Sequence, residues 1–449
     1  MQIAPEQAPG RAVCDVASSH PPPEACLPLE HRLDRSLDAL NFFLADVRDG
    51  LGPYLAIYLL SVQHWDEASI GLVMAVAALA GIVAQTPAGA LIDRSTAKRG
   101  LLIAAATVVT LASVTLPLLQ SFEAVAATQA LAGAAGAIFA PAVAAVTLGI
   151  VGPRAFARRT GRNEAFNHAG NAVAATLAGV SAYYFGPVVV FWLMSAMAVA
   201  SIVATLSIPA TAIDDHVARG LDPISGPNAG EPARGQHHDQ PSGFKVLLTC
   251  RPLLIFAAST VLFHFANAAM LPLVGQKLAL VNRDLGTSLM SICIVAAQIV
   301  MVPVAMLVGH KAEIWGRKPI FAVALGVLAL RGALYPLSDN PFWLVGVQML
   351  DGVGAGIFGA LFPLVVADLT RGTGHFNISQ GAIATATGIG GALSTAVAGL
   401  IVVTAGYSAA FLTLAAIAAL GLVLFVVLMP ETRQTALPPI GLAPPTPAE

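Results

Sequence analysis

The chain has 449 residues, of which 56% are hydrophobic and 11% charged, whereas an average soluble domain has about 25% charged residues. This composition excludes an ordinary soluble enzyme, and the formal charge of −2 excludes nucleic-acid binding, which requires a basic excess. The mean hydropathy of +0.76 indicates instead a chain that lies in a lipid bilayer.

Twelve stretches of mostly apolar residues have the length of about 20 residues that a helix needs to cross a bilayer. They predict twelve transmembrane helices, and several exceed the minimum length, which indicates tilt. In chain order the predicted spans run near residues 37–60, 68–91, 100–119, 122–150, 163–185, 187–208, 252–275, 287–309, 319–338, 342–368, 377–404 and 408–429.

The segments outside the spans are polar and rich in proline. The first 30 residues contain Pro21-Pro22-Pro23 and no apolar core of signal-peptide length, which favours an uncleaved, disordered tail. The predicted organisation is a cytoplasmic N-terminal tail (1–33), a six-helix bundle (34–210), a flexible cytoplasmic linker (211–250), a second six-helix bundle (251–430) and a cytoplasmic C-terminal tail (431–449).

The basic residues are divided unequally between the two sides of the predicted membrane. Nineteen of the 23 Lys and Arg residues lie in the tails and in the turns of one side. Lys277 and Arg283 lie on the other side, and Arg48 and Arg331 lie within spans. Because positive charge is retained on the cytoplasmic side, both termini are predicted to be cytoplasmic. The expected location is the inner cell membrane.

Landmark residues of the two bundles recur in the same order at an offset of 219 or 220 positions. This indicates a six-helix unit that is used twice. The matching pairs are Pro53 with Pro272, Gly89 with Gly309, Asp93 with Glu313, Gln129 with Gln348, Gly133 with Gly352, Gly179 with Gly399 and Gly186 with Gly406.

Two of these pairs lie in similar turns. The turn after the second span reads Gly89-Ala-Leu-Ile-Asp93-Arg94, and the turn after the eighth reads Gly309-His-Lys-Ala-Glu313-Ile-Trp-Gly316-Arg317-Lys318. Both resemble the signature turn of the major facilitator superfamily, Gly-x-x-x-Asp-Arg-x-Gly-Arg-Arg/Lys, and the resemblance covers the whole twelve-helix body. It implies an all-α integral membrane protein in which two pseudo-symmetric bundles rock around a midplane site.

The signature turns are candidate gates at the cytoplasmic ends of the helices. Glycine permits close helix approach, and the acid and bases that follow can pair with neighbouring helices when that side is closed. The alternative is that these are solvated loop charges. The first copy has Thr96 and Ala97 where the pattern has glycine and arginine, which predicts a looser gate than in the second copy. The candidate gate residues are Gly89, Asp93, Arg94, Gly309, Glu313, Gly316, Arg317 and Lys318.

Ionisable residues inside a span are functional candidates because they are costly in lipid without a partner. The first span contains Asp46, Arg48 and Asp49, and the two acids are three residues apart on one helical face. They are predicted to couple transport to protons or to contact substrate. The alternative is that they fix the first helix to its neighbours.

The fifth span begins with a wide polar face. Asn163, Asn167 and Asn171 are spaced four residues apart, as are Glu164 and His168, so these side chains project from one side of the helix. Glu164, His168 and Asn171 are candidates for proton relay or substrate contact. The alternative is a set of hydrogen bonds between helices.

The second bundle contributes Gln348 and Asp351 in the tenth span. Asp351 has no acidic counterpart in the first bundle, where Ala132 stands, and this asymmetry favours a site over simple packing. Arg331 in the ninth span is predicted to extend toward the membrane surface. His264 in the seventh span is a candidate either for cavity lining or for an internal hydrogen bond.

These features predict a secondary transporter that moves a small-molecule substrate by alternating access, with proton coupling and export as the expected direction. The alternatives are an uptake symporter for a metabolite or organic ion, and a receptor or scaffold without flux. Gln129 stands where many drug/proton antiporters of the superfamily have an arginine, which argues against a standard drug exporter. A monomer is expected.

No enzymatic activity is expected either. The sequence has no Walker-type nucleotide motif, and its four cysteines lack paired spacing. No cofactor and no metal site are therefore predicted.

Overall fold

A computed structural model describes residues 27–49, 51–186, 188–221, 248–281 and 286–433, and all regular secondary structure within these ranges is helical. The first half of the chain contains α1 to α7 and the second half contains α8 to α13. The helices are α1 (Leu27–Asp49), α2 (Leu51–Ser61), α3 (Glu67–Arg94), α4 (Lys98–Thr115), α5 (Phe122–Gly136), α6 (Phe139–Phe185), α7 (Val189–Leu206), α8 (Arg251–Ala268), α9 (Met270–Val281), α10 (Gly286–Trp315), α11 (Arg317–Leu334), α12 (Pro341–Thr370) and α13 (Phe376–Leu428).

The predicted twelve-helix fold is confirmed. Nine helical stretches of the described chain are long and apolar enough to cross a membrane. Two of them, Phe122–Phe185 and Phe376–Leu428, are interrupted by a non-helical glycine and provide two crossings each. The helices α1 and α2 together form the remaining crossing.

The two halves repeat the same packing order. In the first half α3 packs on α5 and α4 packs on α7, and in the second half α10 packs on α12 and α11 packs on α13. Glycines with positive φ occupy equivalent turns: Gly186 (φ 81°) matches Gly406 (φ 86°), and Gly152 (φ 70°) matches Gly372 (φ 74°). A residue with a Cβ would be strained in these turns, so the repeat is built into the backbone.

The two halves meet along two helix pairs, α3 with α13 and α6 with α10. Each pair crosses at glycines: Gly89 and Gly381 on the first, Gly161 and Gly309 on the second. A Cβ on Gly161 would lie 2.5 Å from Cα of Gly309, and a Cβ on Gly89 or Gly381 would collide with backbone of the facing helix. We call the end of the molecule where α3 and α10 end the motif face, since it carries both signature turns. At these crossings the halves are in backbone contact.

Two boundaries differ from the sequence prediction. Helix α1 begins at Leu27, within the predicted tail, and Asp34 and Asp38, two to three turns further on, form ion pairs with Arg159 of α6. The predicted linker begins with a packed segment, in which Val217, Ala218 and Leu221 are buried. Its backbone carbonyls accept hydrogen bonds from the second half, from Gly372 N (2.7 Å) to Gly220 and from Asn377 Nδ2 (3.0 Å) to Ala218. Residues 222–247 lie outside the described residues.

The Gly161→Ala substitution tests the crossing of α6 and α10. The new methyl group would lie 2.5 Å from Cα of Gly309 and 2.6 Å from the carbonyl oxygen of Ala305, so the helices would have to separate. We expect this overpacking to cost about 1–3 kcal/mol and to lower the unfolding temperature in detergent micelles. Gly179→Ala is the matched control, because nothing lies within 4 Å of that position on the same helix. Equal unfolding temperatures for the two variants would contradict this crossing.

Candidate functional site

A cavity of about 390 Å³ lies between the two halves. Its first-half wall comes mainly from α6, with contributions from α1 and α3, and its second-half wall comes from α8, α12 and α13. The glycine crossings close it toward the motif face, where Thr160 and Gly381 belong to its lining. A central cavity with walls from both halves is where a rocking motion of the halves would expose a bound molecule to either side.

Glu164 is the one acidic residue among the described residues that line the cavity, and none of these is Lys or Arg. Its side chain is 20% exposed. The carboxylate has weak protein partners: Nδ2 of Asn167 lies 3.5 Å away and Nε2 of His168 lies 3.9 Å away. Oε2 of Glu164 also lies against α12, 2.9 Å from where a Cβ on Gly359 would be. The carboxylate therefore faces both the cavity and the opposite half.

His168 connects Glu164 to the second half. Its Nδ1 lies 2.8 Å from Oε1 of Gln298 on α10, and because that oxygen accepts, Nδ1 carries the proton. In a neutral imidazole the other nitrogen, Nε2, is then an acceptor. Nε2 is buried and has no hydrogen-bond partner, and it faces the carboxylate of Glu164. Nε2 of His168 and the carboxylate of Glu164 are therefore two acceptors 3.9 Å apart.

The second-half wall near Glu164 is aromatic. Phe358 and Phe362 are stacked with their ring centroids 5.4 Å apart, and His264 meets the Phe358 ring edge-on at 4.7 Å. His264 both lines the cavity and lies with its Nδ1 3.1 Å from the carbonyl of Thr260, so both roles considered for it apply. The spacing of the two phenylalanines, four residues apart in the tenth span, was the available sequence signal for this wall.

Much of the polar lining is already hydrogen-bonded within the protein. Asn163 accepts from Arg159 Nε (2.8 Å) and donates to Thr147 (2.8 Å). Arg159 is buried and also pairs with Asp34 (2.8 Å) and Asp38 (2.6 Å) on α1. The sequence analysis did not select Asp34, Asp38 or Arg159, because they lie in polar stretches at span ends, where charged residues are ordinary. This network fixes α1 to α6 and leaves Glu164 outside it.

The first signature turn forms a lock between the halves. The carboxylate of Asp93 accepts hydrogen bonds from the backbone N–H groups of Asn377 (3.2 Å) and Ile378 (2.8 Å) and from Nδ2 of Asn377 (2.8 Å). These groups lie at the N-terminus of α13, where unpaired N–H groups and the helix dipole favour an anion. Asp93 is buried and Arg94 is exposed. Asp93 therefore joins the halves when the motif face is closed.

The second signature turn is bonded within its own half. Arg317 donates to Glu313 (2.7 Å) and to Asp368 at the end of α12 (3.1 Å). The carboxylate of Glu431, which follows α13, accepts from the backbone N–H groups of Arg317 (2.8 Å) and Lys318 (3.1 Å). Partial burial acts to raise the pKa of Glu431, but the backbone N–H of Arg433, together with those of Arg317 and Lys318, holds it below its usual range.

The contact that joins the two halves lies in the first signature turn, for which the sequence predicted the looser gate. The first copy, with Thr96 and Ala97, supplies the carboxylate that bridges the halves, and Glu313 of the second copy pairs inside its own half. The sequence pattern shows which residues are present in each turn. It does not show the partners of Asp93, because these are mainly backbone N–H groups that lie 284 and 285 residues further along the chain.

Asp351 lies in a buried network inside the second half. Arg331 donates to Asp351 and to Asn267 (2.7 Å), and Gln348 connects Asp351 (3.0 Å) to the hydroxyl of Tyr335 (2.5 Å). Arg331 is 1% exposed, so it does not extend to the membrane surface as predicted. Neither Asp351 nor Gln348 lines the cavity.

The remaining candidates are distributed along the first half. Asp46, Arg48 and Asp49 lie on α1, but their side chains are outside the described residues. Asn171 lies on α6, half-buried and two turns beyond the cavity-lining Glu164. Of the candidates from the sequence analysis whose side chains are described, Glu164 lines the cavity and His168 lies beside Glu164.

Comparisons with known proteins agree with this architecture. The Major Facilitator Superfamily model matches residues 37–338 and 277–447. Two curated relatives, each named an uncharacterized MFS-type transporter, come from Mycobacterium tuberculosis strains CDC 1551 / Oshkosh and ATCC 25618 / H37Rv. Each is 63% identical over 401 residues, which is 89% of this chain and 94% of the relative.

Two solved structures share the fold. The proton:xylose symporter XylE superposes with a TM-score of 0.68 at 11% identity, covering 92% of this chain and 98% of that chain. The human organic anion transporter MFSD10 (TETRAN) superposes with a TM-score of 0.59 at 17% identity. The match covers 90% of this chain and 100% of that chain. At these identities the likeness concerns the fold alone.

Neutralising the two signature acids should have unequal effects. Asp93→Asn removes the charge from three hydrogen bonds that cross between the halves, and bonds to charged groups are worth about 1.5–3 kcal/mol each. We expect a larger fraction of molecules with an open motif face, measured as longer distances between spin labels on α4 and α13. Glu313→Gln is the control, because its bond lies within one half, and it should keep the wild-type distances. The same shift in both variants would refute the unequal lock.

Removing Asp351 should destabilise the second half. Asp351→Asn leaves Arg331 buried without its counterion, a change that typically costs about 3–5 kcal/mol. The double variant Arg331→Met/Asp351→Leu removes both charges and should recover most of the lost thermal stability in detergent. If Asp351→Asn unfolds at the wild-type temperature, the ion pair is not structural.

Proposed function

The chain belongs to the major facilitator superfamily and is a secondary transporter, and we propose that it moves a small solute through the central cavity by alternating access with proton coupling at Glu164 and His168. The observation that carries this proposal is the position of that pair. Glu164 faces the cavity, and His168 reaches Gln298 in the other half.

Proton coupling follows from the arrangement of acceptors. With the Nδ1 proton of His168 directed to Gln298, Nε2 and the carboxylate of Glu164 both present lone pairs. A proton that enters the cavity is stabilised by either group and changes the charge of the wall by one unit. Charge at this depth is costly in a membrane protein, so gain or loss of this proton alters the energy of each conformation.

Alternating access requires that the motif face opens and closes. The contacts that would break on opening are the glycine crossings, the Asp93 hydrogen bonds at the start of α13, and the bonds of Gly220 and Ala218 to the second half. Each of these contacts joins the second half to the first half or to the start of the linker. The network around Arg159 lies inside the first half and the network around Arg331 lies inside the second half, so each can move with its half as a rigid body.

The motif face is proposed to be the cytoplasmic side of the inner cell membrane. The basic turns, the start of α1 and the segment after α13 lie at this end, and positive charge is retained in the cytoplasm. Both termini are then cytoplasmic, and the unit of transport is the monomer, because the cavity is built from the two halves of one chain. Asp46 and Asp49 remain predicted coupling residues on α1.

The test is a comparison of solutes inside and outside cells that produce the wild type, Glu164→Gln or Glu123→Gln at equal membrane levels. Glu123→Gln is the matched control, because Glu123 is exposed in the first turn of α5. We expect a compound depleted inside and enriched outside with the wild type and the control. In Glu164→Gln its flux should fall at least about tenfold, the equivalent of about 1.4 kcal/mol.

The other outcomes are equally specific. Inward accumulation would assign an uptake symporter in place of export. Wild-type flux in Glu164→Gln, with the same dependence on the proton gradient, would remove Glu164 from coupling and direct attention to Asp46 and Asp49. Identical solute profiles in wild-type cells and in cells without the protein would favour a scaffold.

A further inference from the structure

The cavity wall has an excess of negative charge. Glu164 is the acid among its described lining residues, and no Lys or Arg lines it. The guanidinium groups of Arg159 and Arg162, on the same helix as Glu164, are held by Asp38, which accepts from them at 2.5–3.0 Å. An ionised carboxylate in such a wall has a strong requirement for a cation, because an unpaired buried charge is costly. An anionic solute would increase that cost.

The wall that faces Glu164 suits a cation with an apolar body. Phe358 and Phe362 are stacked on α12, on either side of Gly359, which the Glu164 carboxylate contacts. Phe358 also stacks on Phe263 (5.0 Å) and Phe362 on Phe256 (6.1 Å), so the pair belongs to a larger aromatic cluster that offers apolar surface to the body of a solute and attracts a cation within about 6 Å of a ring centroid. The carboxylate and the ring pair therefore lie side by side on helices from opposite halves, and one bound cation can contact both.

Four of the five amide side chains in the described lining are bonded within the protein, and only Gln85 and the hydroxyl of Thr160 are left to a neutral polyol such as a sugar. Asn163 uses both ends of its amide in bonds to Arg159 and Thr147, and Asn41 donates to the carbonyl of Leu37 at 2.8 Å. Asn167 and Gln380 donate to Glu164 and to Asn377. Recognition of several hydroxyl groups requires several uncommitted donors and acceptors, whereas here the strong group with the weakest partners is a single carboxylate.

From these three features we propose that the cavity binds a compact organic monocation, an amine or quaternary ammonium with an apolar or aromatic body, between Glu164 and the Phe358–Phe362 ring pair. This rests on the proposed function, because it assigns the substrate class of the same cavity. A cavity of about 390 Å³ is near the lower end of ligand pockets, which span about 300–1,000 Å³, so the cation is small.

The same carboxylate would then serve the proton and the solute. Each neutralises Glu164, so each displaces the other, and the solute leaves the site as a proton arrives. Binding that is mutually exclusive produces exchange of the solute for a proton. With an inward proton gradient this exchange drives export.

The experiment measures binding by isothermal titration calorimetry to the full-length protein in lipid nanodiscs. The probes are benzyltrimethylammonium chloride, sodium benzoate and xylose, which represent an organic cation, an organic anion and a neutral sugar. We expect benzyltrimethylammonium to bind and its apparent affinity to fall as the pH is lowered, because protons compete. Glu164→Gln should weaken its binding at least about tenfold, and Glu123→Gln should leave it unchanged.

A second variant separates recognition from folding. Phe362→Leu keeps an apolar side chain but removes the ring face, and it should weaken binding of the cation while the unfolding temperature stays at the wild-type value. Binding of benzoate or xylose in place of the cation would overturn the substrate class, as would equal cation affinity in the wild type and Glu164→Gln.

The two proposals can fail separately. If wild-type cells show solute flux that Glu164→Gln abolishes, but benzyltrimethylammonium does not bind, the cation class is wrong and proton-coupled transport stands. If the cation binds in the cavity but no solute moves across the membrane, the transport proposal is wrong and the binding site stands.

Discussion

A buried carboxylate in a protein surrounded by lipid needs a partner, and most of this structure can be understood from where each carboxylate finds one. Asp38 has Arg159 and Arg162, Asp351 has Arg331, Asp368 has Arg317, and Asp93 has the N-terminus of α13. Each of these partners lies within bonding distance and fixes two helices to each other. Glu164 differs, because its contacts are at 3.5 Å and 3.9 Å and it faces a cavity. Among these described carboxylates, the one with the weakest protein partners is the one that lines the cavity.

The twofold repeat explains why the two halves are in contact at the motif face. A difference between the two copies explains why only Asp93 forms hydrogen bonds across that contact. Gly89, Gly161, Gly309 and Gly381 occupy equivalent places at the two crossings, so both allow backbone contact between the halves. The acids that follow the crossings are not equivalent. Asp93 bonds to the other half, whereas Glu313 bonds to Arg317 four residues along its own chain. The two crossings can therefore separate symmetrically, while the electrostatic contribution to closure lies on the α3–α13 side.

The sequence was sufficient for the fold because lipid imposes a length and a polarity on every crossing. Hydropathy predicted twelve spans, and the repeat predicted that Gly186 and Gly406 are equivalent, which their positive φ angles confirm. The pairing of side chains between helices was harder to predict from the sequence. Arg331 and Asp351 lie on different helices and 20 residues apart, and the sequence does not give the rotation of one helix relative to the next. The polar face of α6 was visible, but the aromatic wall that faces it depends on the packing of α12 across the cavity.

The position of Glu164 on α6 also connects occupancy of the cavity with closure of the motif face. Glu164 lies three residues after Gly161, about one helical turn from the backbone contact with Gly309. His168 is one turn further and bonds to Gln298 on the same partner helix, α10. A displacement of α6 along α10 therefore changes the glycine contact and the His168 bond together. Because the bond to Gln298 keeps the proton on Nδ1 of His168, the same displacement changes whether Nε2 presents a lone pair to Glu164. The polar contact beside the cavity and the backbone contact at the motif face thus lie on one helix pair, α6 and α10.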